Sequence, residues 1–278
     1  KTNTESETYY TDENGFLSLP NEITYGDYEL IEVTPPKGYT LNSVPIAFSI
    51  DGNTPEVIIR LSDKPEKGKI SVLKKGEMFS SVEVSEDRYV PVYSEKGLKD
   101  AEFEVTAAED IYTADGTLRI SKGALADTLV TDESGEAVSR ELYPGKYLLR
   151  EISAPEGFAA DTEVKELTVT AGIKKIEVKN ERKKQEYKIQ KNLETDQKFG
   201  IGFNGEIFNI RFGLFSKTEL TALDGSIIPA DGLIEVATPD EDGFLSFTAD
   251  MPYNAECYIK ELETDEHYIL SNEQYLNG

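Results

Sequence analysis

The sequence predicts an all-β protein built from tandem sandwiches, and three observations predict it. Short alternating runs such as KISVLK, AEFEVTA, DTLVT, KYLLREI, VKELTV and KKIEVKN are separated by Gly, Pro and Asp turns. A pattern of domain-sized period recurs along the 278 residues. No amphipathic helical stretch longer than about three turns is visible.

The recurring pattern is an acidic turn, a glycine, a short strand, and then an alternating strand that carries a glutamate. Its copies are TDENGFLS with YELIEVTPPKGY, TDESGEAVS with YLLREISAPEGF, and PDEDGFLS with CYIKELETDEHY. Gly15 precedes Glu32 by 17 residues, Gly135 precedes Glu151 by 16, and Gly243 precedes Glu261 by 18. Charged stretches poor in apolar residues, SDKPEKGK (62–69) and NERKKQE (180–186), read as linkers. The expected domains are a partial one at 1–65 that holds only the second half of a repeat, a complete one at 66–182, and one at 183–278 that lacks its last strand. The termini, KTNTESETYY and QYLNG, are those expected of a piece cut from a longer protein. The stretch 76–100 reads as a long excursion with its own hairpin.

Alternate residues of a strand share a face. Tyr147, Leu149 and Glu151 therefore point the same way, as do Tyr28, Leu30 and Glu32, and Cys257, Ile259 and Glu261. A carboxylate at the end of a core-facing row needs partners, because an unpaired buried charge costs several kcal/mol. In the complete domain two other rows end in polar groups. Ile70 and Val72 lead to Lys74, and Ile176 and Val178 lead to Asn180. An amine, a carboxyl and a carboxamide are thus directed into one sandwich. Lys69 and Lys75 are fallback amines, but both sit on the opposite parity.

Composition excludes other classes. A net charge of −24 and a pI near 4.4 argue against nucleic acid and against anionic membrane surfaces. No apolar run spans a bilayer, so no membrane insertion is expected of these residues. The lone Cys257 makes no intramolecular disulfide and reads as a small core hydrophobe. With His267 the only histidine, neither a Ser-His-Asp triad nor a His-based zinc site is expected. The acidic turns fail the EF-hand pattern: with Gly243 as the loop glycine, Thr238 takes the first position and Ala249 the twelfth. No metal and no cofactor are expected. The segment KFGIGFNGEIFNI (198–210) lacks a nucleotide-binding fingerprint and reads as a bulged strand with aromatic core residues.

The motif Y-x-L-x-E-x-x-A-P-x-G-F at 147–158, with a first-strand lysine and a last-strand asparagine, resembles the Cna B-type (SpaA-like) domains. These are reverse-Ig-like Greek-key sandwiches of prealbumin fold in surface adhesins and pilins of Gram-positive bacteria. The resemblance covers 66–182 and the matching parts of both flanks. It implies an intramolecular isopeptide bond, with Lys74 as nucleophile, Asn180 as electrophile and Glu151 as catalyst. Desolvation, which lowers a lysine pKa and raises a carboxyl's, fits that chemistry. A buried Lys74–Glu151 ion pair without a bond is the alternative.

The flanking copies are incomplete. Glu32 has Asp63 in the place of Asn180, 31 residues on rather than 29, but its lysine strand would precede residue 1. Lys191 and Glu261 match Lys74 and Glu151, but an acceptor 29 residues beyond Glu261 would fall at 290, past the end of the sequence, so no bond is expected within either flank. The resemblance implies a non-enzymatic stalk or shaft segment, extracellular and anchored to the cell wall outside these residues, whose partners are neighbouring domains of its parent protein. No sorting signal or pilin-linking motif is evident. Two rivals are an adhesive module for a host extracellular protein or glycan, marked by an exposed aromatic patch, and an accessory region of a secreted hydrolase, marked by a deep pocket.

Overall fold

A computed structural model describes residues 6–19, 23–53 and 56–276. They form two compact units, one of residues 1–66 with 112–117, the other of 67–111 with 118–278.

In the first unit, β1 (Gly26–Leu30) pairs antiparallel with β2 (Ile46–Ile50). Tyr28 stacks on Phe48 across this pair, with centroids 5.6 Å apart. No described residue of 6–66 is fully buried. The face carrying Tyr28, Leu30 and Glu32 is therefore only half covered.

The second unit opens with a sandwich around one apolar core. Its strands are β3 (Gly68–Ser85), β4 (Arg88–Gly97), β5 (Glu102–Ala107), β6 (Leu125–Val130), β7 (Glu136–Val138), β8 (Gly145–Ser153), β9 (Lys165–Val169) and β10 (Gly172–Lys179). One sheet has the order β6-β5-β8-β9 and the other β7-β3-β10, with β4 paired to β3. Ile70, Val72, Phe103, Val105, Tyr147, Leu149 and Val178 fill the space between them. First and last strands are neighbours and run parallel, in a register that places Lys74 beside Val178.

The hairpin expected in 76–100 is formed, and it is longer than its strand pattern suggests. β3 runs on for 18 residues. It reverses at Glu86 and Asp87, both with left-handed φ (50° and 62°), and returns as β4. Phe79, Val82 and Tyr89 of this hairpin pack against the core of the next sandwich.

That second sandwich comprises β11 (Tyr187–Gln190), β12 (Arg211–Ser216), β13 (Leu233–Ala237), β14 (Phe244–Phe247), β15 (Cys257–Glu263) and β16 (Gln274–Leu276). Its sheets are β13-β12-β15-β16 and β11-β14. The stretch 198–210 departs from the expected strand. It is a loop with an isolated Asp196–Ile201 bridge and a 3₁₀ turn at Glu206–Asn209. Its Phe199, Phe203 and Phe208 are 70, 57 and 54% exposed, so they serve no core. Gly200, Gly202 and Gly205 take φ of 69–84° there, which an extended strand does not tolerate.

Cys257 is buried, as a small hydrophobe should be. His267 Nδ1 lies 2.6 Å from Asp265 Oδ1, and Asn209 donates to the other oxygen at 2.6 Å. The Asp265 hydrogen bond raises the imidazole above its ordinary 6.5, against the smaller effect of desolvation. A raised pKa stabilises the fold fully below the unfolded value and loses that contribution as pH rises through the folded one. We therefore expect the C-terminal sandwich to melt slightly lower at pH 8 than at pH 6, by a small, solvent-screened amount. His267→Gln should remove that part of the difference, and an equal pH slope in both proteins would refute the assignment.

Candidate functional site: a buried lysine, glutamate and asparagine

Lys74, Glu151 and Asn180 reach the same point from three strands. The β3 row of Ile70, Val72 and Lys74 is buried throughout, and Lys74 is 0% exposed. Tyr147, Leu149 and Glu151 form the buried row of β8, and Asn180 follows β10. Lys74 Nζ hydrogen-bonds Asn180 Oδ1 and lies 2.9 Å from Glu151 Oε1. Asn180 Nδ2 donates to the same Oε1 at 2.8 Å. One carboxylate oxygen therefore touches both the amine and the amide nitrogen.

The backbone explains why Lys74 is held there. Its N–H donates to Gly135 O at 2.7 Å, and its carbonyl accepts from Leu98 N at 2.9 Å. Gly135 has φ +79°, and a Cβ there would stand 2.4 Å from Lys74 O. The glycine of the repeated acidic turn is thus the residue that lets the lysine strand approach. Gly243 does the same for Lys191, where a Cβ would stand 2.0 Å from its carbonyl. Burial pushes the Lys74 ammonium below its usual pKa, opposed by the hydrogen bond and charge of Glu151 and by Asp161, and assisted by Lys165. The Phe103 ring centroid lies 5.4 Å from Nζ. The fallback amines face away: Lys75 pairs on the outer face with Glu177 at 2.8 Å and Glu95 at 3.3 Å.

The flanking residues form partial versions. Lys191 Nζ is 3.0 Å from Glu261 Oε1, above the Phe212 ring at 5.9 Å. Glu261 is 1% exposed, yet its Oε1 has no hydrogen-bond partner. In the central sandwich an amide occupies that role. Burial first, and then the nearby Glu32 carboxyl, raises the Asp63 carboxyl above its usual value.

Sequence reasoning missed a further partner. Asp161 N–H donates to Glu151 Oε2 at 2.7 Å. The Asp161 side chain accepts from Glu163 N–H at 2.9 Å and pairs with Lys165 at 3.2 Å, over a narrow cleft above Glu151. The same contact recurs from Asn42 to Glu32 at 2.7 Å and from Ser271 to Glu261 at 2.9 Å. A turn-forming residue ten positions after each glutamate was the available signal.

Residues 1–65 and 91–184 match the SpaA family model, a prealbumin-like fold domain. Over 88 residues the chain is 31% identical to the trypsin-resistant surface T6 protein of Streptococcus pyogenes serotype M6, a match covering 31% of this chain and 16% of that protein. The solved Bacillus anthracis TIE protein superposes with a TM-score of 0.59 at 22% identity, over 96% of this chain and 41% of the other. That likeness is one of fold, and the chain spans less than half the length of either relative. The all-β, prealbumin-like fold class expected from the sequence agrees with both comparisons.

Proposed function

The chain belongs to the SpaA prealbumin-like-fold family, and from that premise we propose that it is a stalk segment of a Gram-positive cell-surface protein, held by a self-made Lys74–Asn180 bond. The reading keeps the division into a partial domain at 1–65, a complete one at 66–182 and an unfinished one at 183–278. It places the segment outside the cell, with neighbouring domains as its partners.

The observation that carries the proposal is the shared Glu151 oxygen. Glu151 Oε1 takes a proton from the Lys74 ammonium, freeing the amine to attack Asn180 Cγ. It then delivers the proton to Nδ2, the nitrogen it already contacts at 2.8 Å. Nζ–Cγ forms, Cγ–Nδ2 breaks and ammonia leaves, and the second proton that Nζ sheds passes to Oε1, so Glu151 ends protonated and neutral beside the new amide. Fixing the three groups in a closed core supplies the effective molarity. The reaction occurs once per chain, so this is self-processing and not turnover.

Intact mass tests the proposal. Wild type should be lighter than its sequence by one ammonia, and Glu151→Ala should have its full sequence mass. Full mass in both would leave a buried ion-pair network and remove the bond. The loss should be of one ammonia only, because among the described residues no amide stands at Glu261 Oε1 for Lys191 to attack.

A second reading, an adhesive module for a host protein or glycan, is favoured by Phe199, Phe203 and Phe208 exposed on one loop. Replacing all three by serine would abolish attachment to host cells without changing the ammonia loss.

A further inference from the structure

We propose that Asp161 is the positioning residue that turns the Lys74–Glu151 contact from an ion pair into a proton relay. This rests on the bond-forming reading above.

A carboxylate beside a lone ammonium can offer it both oxygens. In that pose neither oxygen is committed to the leaving nitrogen. At Glu151 the choice is made by the Asp161 N–H, which holds Oε2 at 2.7 Å. Only Oε1 is left, and it spans Nζ at 2.9 Å and Nδ2 at 2.8 Å. Hydrogen bonds to a carboxylate are among the stronger ones, so this donor fixes the rotation of the group.

The Asp161 side chain aims that N–H. Its Oδ1 accepts from the Glu163 N–H at 2.9 Å and closes a local turn. Its Oδ2 lies 3.2 Å from Lys165 Nζ, which pins the segment leading into β9.

The internal repeats make the case independent of the central site. Asn42 N–H donates to Glu32 Oε2, and Asn42 Oδ1 accepts from Val44 N–H at 3.4 Å. Ser271 N–H donates to Glu261 Oε2, and Ser271 Oγ accepts from Glu273 N–H at 3.2 Å. Asp, Asn and Ser share one capability, accepting from the N–H two residues on. In all three copies the N–H fixes one carboxylate oxygen, and in the central and C-terminal copies the other oxygen faces the lysine, at 2.9 and 3.0 Å. At Glu261, where no described residue supplies an amide, Oε1 is buried, lies 3.0 Å from Lys191 Nζ and accepts no hydrogen bond. The turn therefore orients the carboxyl whether or not the acceptor is there.

The test follows bond formation over time in freshly synthesised full-length chain, by intact mass, with folding monitored separately by near-UV circular dichroism. Asp161→Ala should fold yet form the bond about tenfold more slowly or worse, the effect of losing one oriented charge-assisted donor. Asp161→Asn and Asp161→Ser should restore the wild-type rate, since both rebuild the turn. A folded Asp161→Ala chain that reacts at the wild-type rate would overturn the proposal, as would Asn and Ser variants as slow as Ala. If Asp161→Ala does not fold, replacing the 160–161 amide by an ester removes the N–H alone. A slowed ester variant supports the role and an unslowed one rejects it. Wild type that keeps its ammonia overturns the bond itself, an outcome separate from any of these.

Discussion

Replacing Asn180 by alanine will leave the purified chain at its full sequence mass and lower its stability by about 4–5 kcal/mol, the loop-closure contribution of a cross-link of this span. The proposed bond would join residues 106 apart in sequence. Alanine also restores the Lys74 ammonium beside Glu151 and leaves it without the Asn180 oxygen that Nζ contacts, which adds about 1–3 kcal/mol. A Lys74→Met, Glu151→Leu, Asn180→Ala chain separates the two contributions, because it removes the buried charges and leaves only the missing cross-link. Asn180→Asp supplies a sharper chemical check. An aspartate condenses with lysine by losing water, and its product is the same amide. Wild type and Asn180→Asp should therefore finish at one mass, though their sequence masses differ. Force gives the same answer differently. β3 and β10 are parallel neighbours, so tension enters at Gly68 and leaves past Asn180. The proposed bond would divert it after Lys74, and residues 75–179 should add nothing to the extension on single-molecule pulling. If Asn180→Ala keeps both the wild-type mass deficit and the wild-type melting temperature, the cross-link is not there.

Parity made the site legible before any coordinates. Three apolar rows ending in Lys74, Glu151 and Asn180 can meet only if all three face one core, and a two-residue period is insensitive to small errors in strand ends. The repeated glycine was legible as a turn, but its close approach to the lysine backbone was not, because that depends on a strand more than 50 residues earlier. Asp161 escaped because it acts through its backbone N–H, which every residue but proline carries. The 198–210 loop was misread because aromatic content suggests a core, while three left-handed glycines override it. A hairpin in 76–100 was legible, but its docking on the next sandwich was not, since a bulge between Phe79 and Ser81 breaks the two-residue alternation and brings Phe79 and Val82, three apart, to the same partner.

That docking leads to the second large effect. Arg182→Ala should detach the hairpin from the C-terminal sandwich and cost about 2–3 kcal/mol, somewhat below the loss from breaking a wholly buried pair. Arg182 lies two residues past Asn180, with its side chain 7% exposed. Its guanidinium forks onto Asp250 at 3.0 and 2.5 Å and stacks 3.4 Å over the Tyr93 ring. Tyr93 in turn donates to the Asp250 carbonyl at 2.9 Å. One side chain thus joins β4, the linker and the segment after β14. Asp250 is 31% exposed and keeps Lys184 at 3.0 Å, which is why the loss falls short of the full value. Arg182→Lys should not rescue, because an ammonium can neither fork nor stack in the same way. Glu77→Gln should be nearly silent, since that carboxylate is 63% exposed and 3.6 Å from Nε. Hydrogen exchange reads the effect locally. In Arg182→Ala, the amides of Val82, Leu223 and Asp224, which cross from hairpin to sandwich, should lose protection while β5 and β8 keep theirs. Unchanged protection would mean that Phe79, Val82 and Tyr89 hold the joint by packing alone. Loss of protection would make this arginine the clamp that carries stiffness from the central sandwich to the next one, immediately beyond the point where the proposed bond would take up the load.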